Sequence, residues 1–225
     1  MSTDVDRYTI PIFPLENVVL FPGLKVPLHI FEPRYRQMTR DALESNRRIG
    51  MAVVRPDQVD AIQDTPDLFE VGCVGQIEES NELPGGRFHI VLDGVARFRI
   101  ESEEPPNAER LYRVANIQQL TDELREEDKP RVIELRAEVR QLMRQLLAIV
   151  APKRVELFEQ QPIQQFDDET FVNTLSQSID FLPPEKQALL EANGVHERCE
   201  KLATFMRFRL AELASGGTPG SNAVQ

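Results

Sequence analysis

Short apolar runs separated by proline and glycine make up the first half of the chain. They are rich in Val, Ile and Phe, and several alternate with polar residues, which is typical of β-strands. Closely spaced short strands of this kind predict an all-β barrel or sandwich for this half. The predicted strands are Tyr8–Leu15, Val18–Phe21, Val26–Phe31, Ile49–Val54, Phe69–Glu78, Arg87–Leu92, Ala96–Ile100 and Tyr112–Ile117.

Proline and glycine also predict where these strands are connected. Pro84-Gly85-Gly86 predicts the turn of a hairpin, because glycine supplies the positive φ that such turns use. Asp93-Gly94 predicts a second turn, and Pro22-Gly23 a type II turn. Only one helix is predicted in this half, at Pro33–Ser45, where apolar residues recur at spacings of three and four.

The spacing of apolar residues changes after Leu120. Spacings of three and four then form one apolar stripe, which predicts a long helix with Asp128 at its N-cap, Pro130 in its first turn and Pro152 after its end. Further helices are predicted at Asp168–Ile179, at Pro184–Asn193 with Gly194 as the terminating residue, and at Val195–Leu213. The stripe of the long helix consists of Val132, Leu135, Val139, Leu142, Leu146 and Val150.

The change of pattern predicts an α+β protein with two subdomains and a tail. A β-rich part covers residues 1–120, a helical bundle covers 121–213, and the Gly- and Ser-rich stretch 214–225 is expected to be disordered. A charged hinge at Gln118–Lys129 connects the two parts. A groove where they meet is the default position for a ligand, because ligands favour concave sites between domains.

Composition and charge exclude several classes of protein. The 37 acidic and 26 basic side chains give a net charge of −11, which disfavours nucleic acid as a partner. The chain contains no apolar run of the roughly 18 residues that a membrane helix needs. Its N-terminus has neither the basic nor the apolar segment of a secretion signal, so we expect a cytoplasmic protein. Cys73 and Cys199 are expected to be buried, reduced thiols.

The motifs of common catalytic sites are also missing. The five lysines precede Val, Pro, Arg, Gln and Leu, so the chain has no phosphate-binding loop, and no serine lies in a GxSxG elbow. His196-Glu197 resembles the start of a zinc-binding HExxH helix, but Glu200 replaces the second histidine. His29 and His89 are interpreted as structural imidazoles within strands. We therefore predict no catalytic residue, no metal and no cofactor.

The most distinctive segments of the chain are Ile10–Leu15, Val18–Gly23 and Pro27–Tyr35, and two later ones are Val71–Ile77 and Leu92–Ile100. Together they resemble one known family, the Lon N-terminal domain, which is the substrate-binding region of the ATP-dependent Lon proteases. The resemblance covers about residues 8–212 and implies a PUA-like pseudobarrel followed by a helical bundle. Because the chain contains no phosphate-binding loop, the resemblance implies recognition without catalysis.

The resemblance leads to a function hypothesis, a non-catalytic module that binds exposed apolar segments of a polypeptide substrate or partner protein. Phe21, Phe31, Tyr35 and Met38 are the candidate contact residues, because aromatic side chains and methionine form adaptable apolar surfaces. The alternative for all four is a place in the core. The oligomeric state stays open.

Two other functions are left open by the sequence. PUA-like barrels also include RNA-binding modules, and Arg34, Arg36, Arg40, Arg47 and Arg48 form a basic cluster that favours such a role. Acidic residues lie between these arginines, however, and indicate a mixed solvated helix. The second alternative is a peptidase or hydrolase with a site that no motif indicates.

Overall fold

A computed structural model of the protein describes residues 6–61 and 65–215, without the side chains of residues 60, 61, 162 and 164. The chain divides into unit 1, Met1–Thr121, and unit 2, Asp122–Gln225. From position 216 onward, the predicted disordered tail lies outside the described residues.

Unit 1 is built around one mixed sheet of six strands, in the order β2-β5-β4-β3-β1-β6. Strand β6 also pairs with β5, so β5, β4, β3, β1 and β6 follow one another in a closed ring. This ring agrees with the predicted pseudobarrel. The strands are β1 (Arg7–Leu15), β2 (Lys25–Ile30), β3 (Arg48–Val53), β4 (Val71–Leu83), β5 (Arg87–Glu104) and β6 (Val114–Gln119).

The strand β5 and the segment Val18–Phe21 beside it each correct a prediction. Asp93-Gly94 was expected to be a turn, but the strand continues through both residues to Glu104. Gly94 is needed there for a close approach, because a Cβ atom on it would lie 2.2 Å from the carbonyl oxygen of Phe21. The strand predicted at Val18–Phe21 is also wrong. That run is apolar because Leu20 and Phe21 are buried beside β5, and it forms no strand.

The other two predicted turns are confirmed. Gly85 and Gly86 have φ angles of +82° and +71° in the hairpin between β4 and β5. Leu24 donates a backbone hydrogen bond of 3.3 Å to Phe21, and Gly23 between them has φ +77°. A positive φ at this position is what a type II turn requires.

One helix, α1 (Pro33–Leu43), covers part of the sheet. Pro33 stands in its first turn, where a missing N–H costs nothing. Tyr35, Met38 and Ala42 point from the helix into an apolar cluster with strand residues such as Ile30 and Phe88. A second cluster, around Ile12 and Phe98, lies elsewhere in the unit.

Strand β2 has one open edge. In the described part of the chain it pairs with β5 and with no other strand, from Lys25 opposite Asp93 to Ile30 opposite Phe88. Its buried residues, Val26 and Ile30, alternate with exposed ones, so one face lies on the core and the other faces solvent. Pro27 occupies an exposed position in the strand.

Unit 2 is helical. The long helix and the helix near Asp168 end within one residue of their predicted C-terminal ends. The short helix at Val155–Gln160 was not predicted. The next predicted helix was expected to end at Gly194, but α5 ends at Leu190, and Gly194, with φ +88°, begins the last helix. The α+β prediction is confirmed. The helices are α2 (Lys129–Val150), α3 (Val155–Gln160), α4 (Asp168–Ser178), α5 (Pro183–Leu190) and α6 (Gly194–Ala214).

Helices α2 and α6 pack side by side along their length. Arg131 lies 3.8 Å from Glu200 near the start of both helices, and Arg207 lies 2.6 Å from Glu138 one or two turns further on. Both ion pairs therefore advance in the same direction, so the two helices run parallel. Short 3-10 turns lie at Glu126–Asp128, Pro152–Arg154 and Pro162–Gln165, and in unit 1 at Pro56–Ala61.

Candidate functional site

Three of the four predicted contact residues lie in the core of unit 1. Phe21 and Met38 are fully buried, and Tyr35 is 5% exposed. The Tyr35 ring packs on Phe13 with 4.5 Å between the ring centroids, and burial raises the pKa of its hydroxyl to about 12. Their burial favours the alternative, a place in the core. Tyr35 and Met38 belong to the apolar cluster under α1, and Phe21 is buried beside Gly94 of β5. Phe31, in contrast, is 59% exposed.

Phe31 stands at a groove where the end of β1, the end of β2 and the start of α1 meet. The groove has a volume of about 310 Å³. Phe13 and Tyr35 contribute buried aromatic surface to it, and Leu28 adds a half-buried aliphatic side chain. The rest of the lining is mixed. It consists of Pro14, Leu15, Glu16, Asn17, Val18, His29, Ile30, Phe31 and Glu32.

An ion pair holds the backbone around Phe31 in place. Glu32 accepts a hydrogen bond from Arg34, with 3.0 Å between Nε and Oε2, and the guanidinium carbon lies 4.5 Å from the centroid of the Tyr35 ring. Ile30 on the other side is buried. Phe31 thus lies between a core residue and a residue paired at the start of α1, and both neighbours constrain its backbone position.

Two histidines lie next to Phe31 on the solvent-exposed face of the sheet. His29 in β2 is directly opposite His89 in β5, and their ring centroids are 4.9 Å apart. His29 also lies 5.8 Å from the ring of Phe31. Sequence reasoning missed this pairing, because it depends on which strands become neighbours. The only signal was that each histidine alternates with apolar residues.

A second apolar concavity lies in unit 2, with a volume of about 710 Å³. Residues from the second half of α2, from α3, from α4 and from the end of α6 line it. Val150 and Leu157 are 54% and 58% exposed there, although the periodicity placed Val150 on the buried stripe. The sequence analysis missed this surface because it did not predict α3. The run Val155, Leu157 and Phe158 was the available signal.

The basic cluster that favoured RNA binding is used within unit 1. Each of its five arginines makes a contact within this unit. Arg34 pairs with Glu32, Arg36 donates to the carbonyl oxygen of Gly85, Arg40 lies over the ring of Phe88, Arg47 donates to the carbonyl oxygen of Ile77, and Arg48 donates to Gln76.

The described residues contain no converging set of three metal ligands. Within 6–61 and 65–215, no three His, Cys, Asp or Glu side chains converge as metal ligands. Cys73 and Cys199 are buried, and burial raises the pKa of the Cys199 thiol to about 12, which leaves it protonated. None of the described helices is both long and apolar enough to cross a membrane.

Comparisons with known proteins point to one family. The family model of the ATP-dependent protease La (LON) substrate-binding domain matches residues 9–207. A Lon protease of Flavobacterium johnsoniae is 27% identical over 217 residues, which are 95% of this chain and 26% of that protein. A Lon protease of Chloroflexus aurantiacus is 29% identical over 91% of this chain and 24% of its own length. The chain thus spans about a quarter of these relatives.

Solved structures show the same fold. The N-terminal domain of a Mycobacterium avium complex Lon protease superposes with a TM-score of 0.66 at 18% identity, covering 89% of this chain and 98% of that one. A Lon N-terminal domain protein from Xanthomonas campestris gives a TM-score of 0.59 at 21% identity, covering 88% and 99%. Because the family model spans most of the chain, this protein belongs to the family of the Lon protease substrate-binding domain.

Proposed function

We propose that this protein binds exposed apolar segments of polypeptides, without catalysis, and that Phe31 makes a principal contact. The observation that carries the proposal is the 59% exposed Phe31 ring beside a groove with buried aromatic walls. Membership of a substrate-binding family supports a binding role. The relatives are proteases, whose substrates are polypeptides.

The dimensions of the groove favour a short extended segment as the ligand. A volume of about 310 Å³ accommodates a few side chains and not a folded domain. Burying one large apolar side chain contributes about 1.5–3 kcal/mol, so two such residues near Phe31 contribute about 3–6 kcal/mol. Before the cost of association is subtracted, this corresponds to a Kd of roughly 40 μM to 6 mM. Binding of this strength suits transient capture of many sequences.

The ion pair between Glu32 and Arg34 supports the proposed apolar contact. The two charges neutralise each other within the protein. Burial of the aromatic part of the groove would therefore contribute most of the binding free energy. The net charge of −11 and the engaged arginines of the basic cluster do not favour RNA. The described residues give no specific support for a peptidase.

The test compares two equally exposed phenylalanines. Phe31→Ala removes the ring beside the groove, whereas Phe208→Ala removes a ring that is 61% exposed on α6 and lines none of the described concavities. Binding of fluorescein-labelled, unfolded casein is measured by polarisation. Phe31→Ala is expected to weaken binding by about tenfold, the loss for one buried anchor, and Phe208→Ala to leave it unchanged.

A further variant separates the two units. Leu157→Ser removes an exposed apolar side chain from the concavity of unit 2. If Leu157→Ser weakens casein binding and Phe31→Ala does not, the site in unit 1 is refuted and polypeptide binding itself stands. Wild-type protein that does not bind casein more tightly than an unrelated acidic protein would refute the function. Casein that becomes cleaved during the assay would refute the non-catalytic role.

A further inference from the structure

The exposed face of β2, β5 and β4 carries a row of nitrogen- and oxygen-bearing side chains. In the sheet register His29 of β2 is opposite His89 of β5, and His89 is opposite Asn81 of β4. All three residues are exposed, and all three line one concavity of about 420 Å³. Glu79 lines the same concavity two pairs further along. The fold thus brings together residues that are far apart in the sequence.

The two histidines occupy the kind of pair in which side chains come closest. The backbone N–H of Gly94 donates a hydrogen bond of 2.8 Å to the carbonyl oxygen of Leu24. These two residues directly precede the pair of Lys25 and Asp93 in the ladder. Hydrogen-bonded and non-bonded pairs alternate along an antiparallel ladder, so His29 and His89 form a non-bonded pair. Cβ atoms in such pairs are about 4.5–5.5 Å apart, which agrees with the ring separation of 4.9 Å.

We propose that His29 and His89 together bind one divalent transition-metal ion. Imidazole nitrogen is a preferred ligand of Cu²⁺, Ni²⁺ and Zn²⁺, and two imidazoles on adjacent strands can chelate one ion after small side-chain rotations. The register places the Asn81 amide beside them. The concavity leaves room for water in the remaining coordination positions.

The expected selectivity follows from the ligand set. Two imidazoles give a site of moderate affinity, because three His, Cys, Asp or Glu ligands do not converge in the described ranges 6–61 and 65–215. For nitrogen ligands the affinity of divalent ions peaks at Cu²⁺. The site should therefore bind Cu²⁺ most tightly and should not bind Mg²⁺ or Ca²⁺, which prefer oxygen.

The chain offers a matched control in its third histidine. His196 lies on α6 in unit 2, with ring nitrogens 3.5 Å from Asp128 and 3.5 Å from Glu200. Its side chain is 30% exposed and lies beside carboxylates, so its variant tests whether metal binding comes from the histidine of unit 2 instead of from the pair. A His196→Asn variant thus removes one histidine and keeps the proposed pair.

The experiment titrates untagged full-length protein with CuCl2, NiCl2 and ZnCl2 in calorimetry, for wild type, His29→Asn, His89→Asn and His196→Asn. We expect one Cu²⁺ site of moderate affinity in wild type and in His196→Asn, and at least a tenfold loss of affinity in each of the other variants, as for the loss of a metal-site residue. Both substituted positions are exposed, so far-UV circular dichroism should show unchanged folding.

Electron paramagnetic resonance provides a readout that does not depend on affinity. With Cu²⁺ bound, the wild-type spectrum should show coupling to two equivalent imidazole nitrogens, and His89→Asn should lose this pattern. The proposal is overturned if wild type binds none of the three ions up to millimolar concentration, or if His29→Asn and His89→Asn bind as wild type does. It is equally overturned if only His196→Asn loses binding.

Discussion

The buried guanidinium of Arg198 on α6 donates a hydrogen bond to Asp122, with 2.8 Å between Nη2 and Oδ1. The Arg198 side chain is fully buried and that of Asp122 is 6% exposed. Arg198 also donates to Asn173 on α4 and to the carbonyl oxygen of Leu189 on α5. One side chain therefore connects α4, α5 and α6 to the segment at which unit 2 begins.

Replacing Arg198 by Met is expected to destabilise unit 2 by about 3–5 kcal/mol, because it leaves the Asp122 carboxylate buried without its cation. Urea unfolding followed by circular dichroism measures the loss. The control is Arg207→Ala, which breaks an exposed ion pair with Glu138 and should cost less than about 1 kcal/mol. Similar losses for the two variants would show that the buried pair has no special role.

A methyl group at Gly94 is expected to destabilise unit 1 by more than about 2 kcal/mol, because its Cβ atom would lie 2.2 Å from the Phe21 carbonyl oxygen. Thermal unfolding of Gly94→Ala tests this. Gly23→Asn is the matched variant, since Gly23 has open space around it and a φ of +77° that asparagine tolerates. It should change stability by less than about 1 kcal/mol. Equal stability of Gly94→Ala and wild type would contradict the close packing of β5 on this segment.

Two aspartates at helix starts should differ in their contributions. The Asp167 side chain accepts a hydrogen bond of 2.9 Å from the backbone N–H of Thr170 in α4 and another from its hydroxyl. Asp167→Ala should therefore cost about 1 kcal/mol. Asp128, at the start of α2, makes no such capping bond, so Asp128→Ala should cost less. Chemical denaturation at neutral pH compares the two, and a larger loss for Asp128→Ala would reverse the assignment.

The buried hydroxyl of Tyr35 predicts a loss of stability at high pH. Its pKa is raised from 10.0 to about 12 in the folded protein, so the folded state holds a proton that the unfolded state has lost. The stabilisation is complete below pH 10 and is lost as the pH rises towards 12. Tyr35→Phe removes this titration. Its free energy of unfolding should decline less than that of wild type over this range, and parallel curves would contradict the prediction.

Local patterns in the sequence were sufficient for much of the fold. The apolar stripe of α2 and the two glycines of the β4–β5 hairpin have local signatures. The hairpin turn is confirmed, and the helix is confirmed with four of its six stripe residues buried, Leu142 and Val150 being the exceptions. The continuous β5 could not be predicted in this way. Asp93-Gly94 is typical of a turn, and the strand conformation of Gly94 depends on its contact with Phe21, which is distant in the sequence. Helix α3 is only Val155–Gln160 and is too short to show a clear period.

The candidate site, too, was predictable only in part. Phe31 was predicted as a contact residue and is exposed, whereas Tyr35 and Met38 have similar side chains and lie in the core. Residue type cannot separate these cases, because exposure depends on which side chains pack between α1 and the sheet. Tyr35 and Met38 do so, whereas Phe31 precedes α1 and stays outside that cluster. The pair His29 and His89 was out of reach for another reason, since its two members meet only when β2 pairs with β5.

The proline in the middle of β2 has a consequence for self-association. An open strand edge can pair with the same edge of another molecule and start aggregation, but Pro27 lacks the N–H that such pairing needs. Pro27 thus protects this edge of β2 against fibril-like growth. It also disfavours a ligand that would add as a strand at this edge, so the proposed contact at Phe31 relies on side chains.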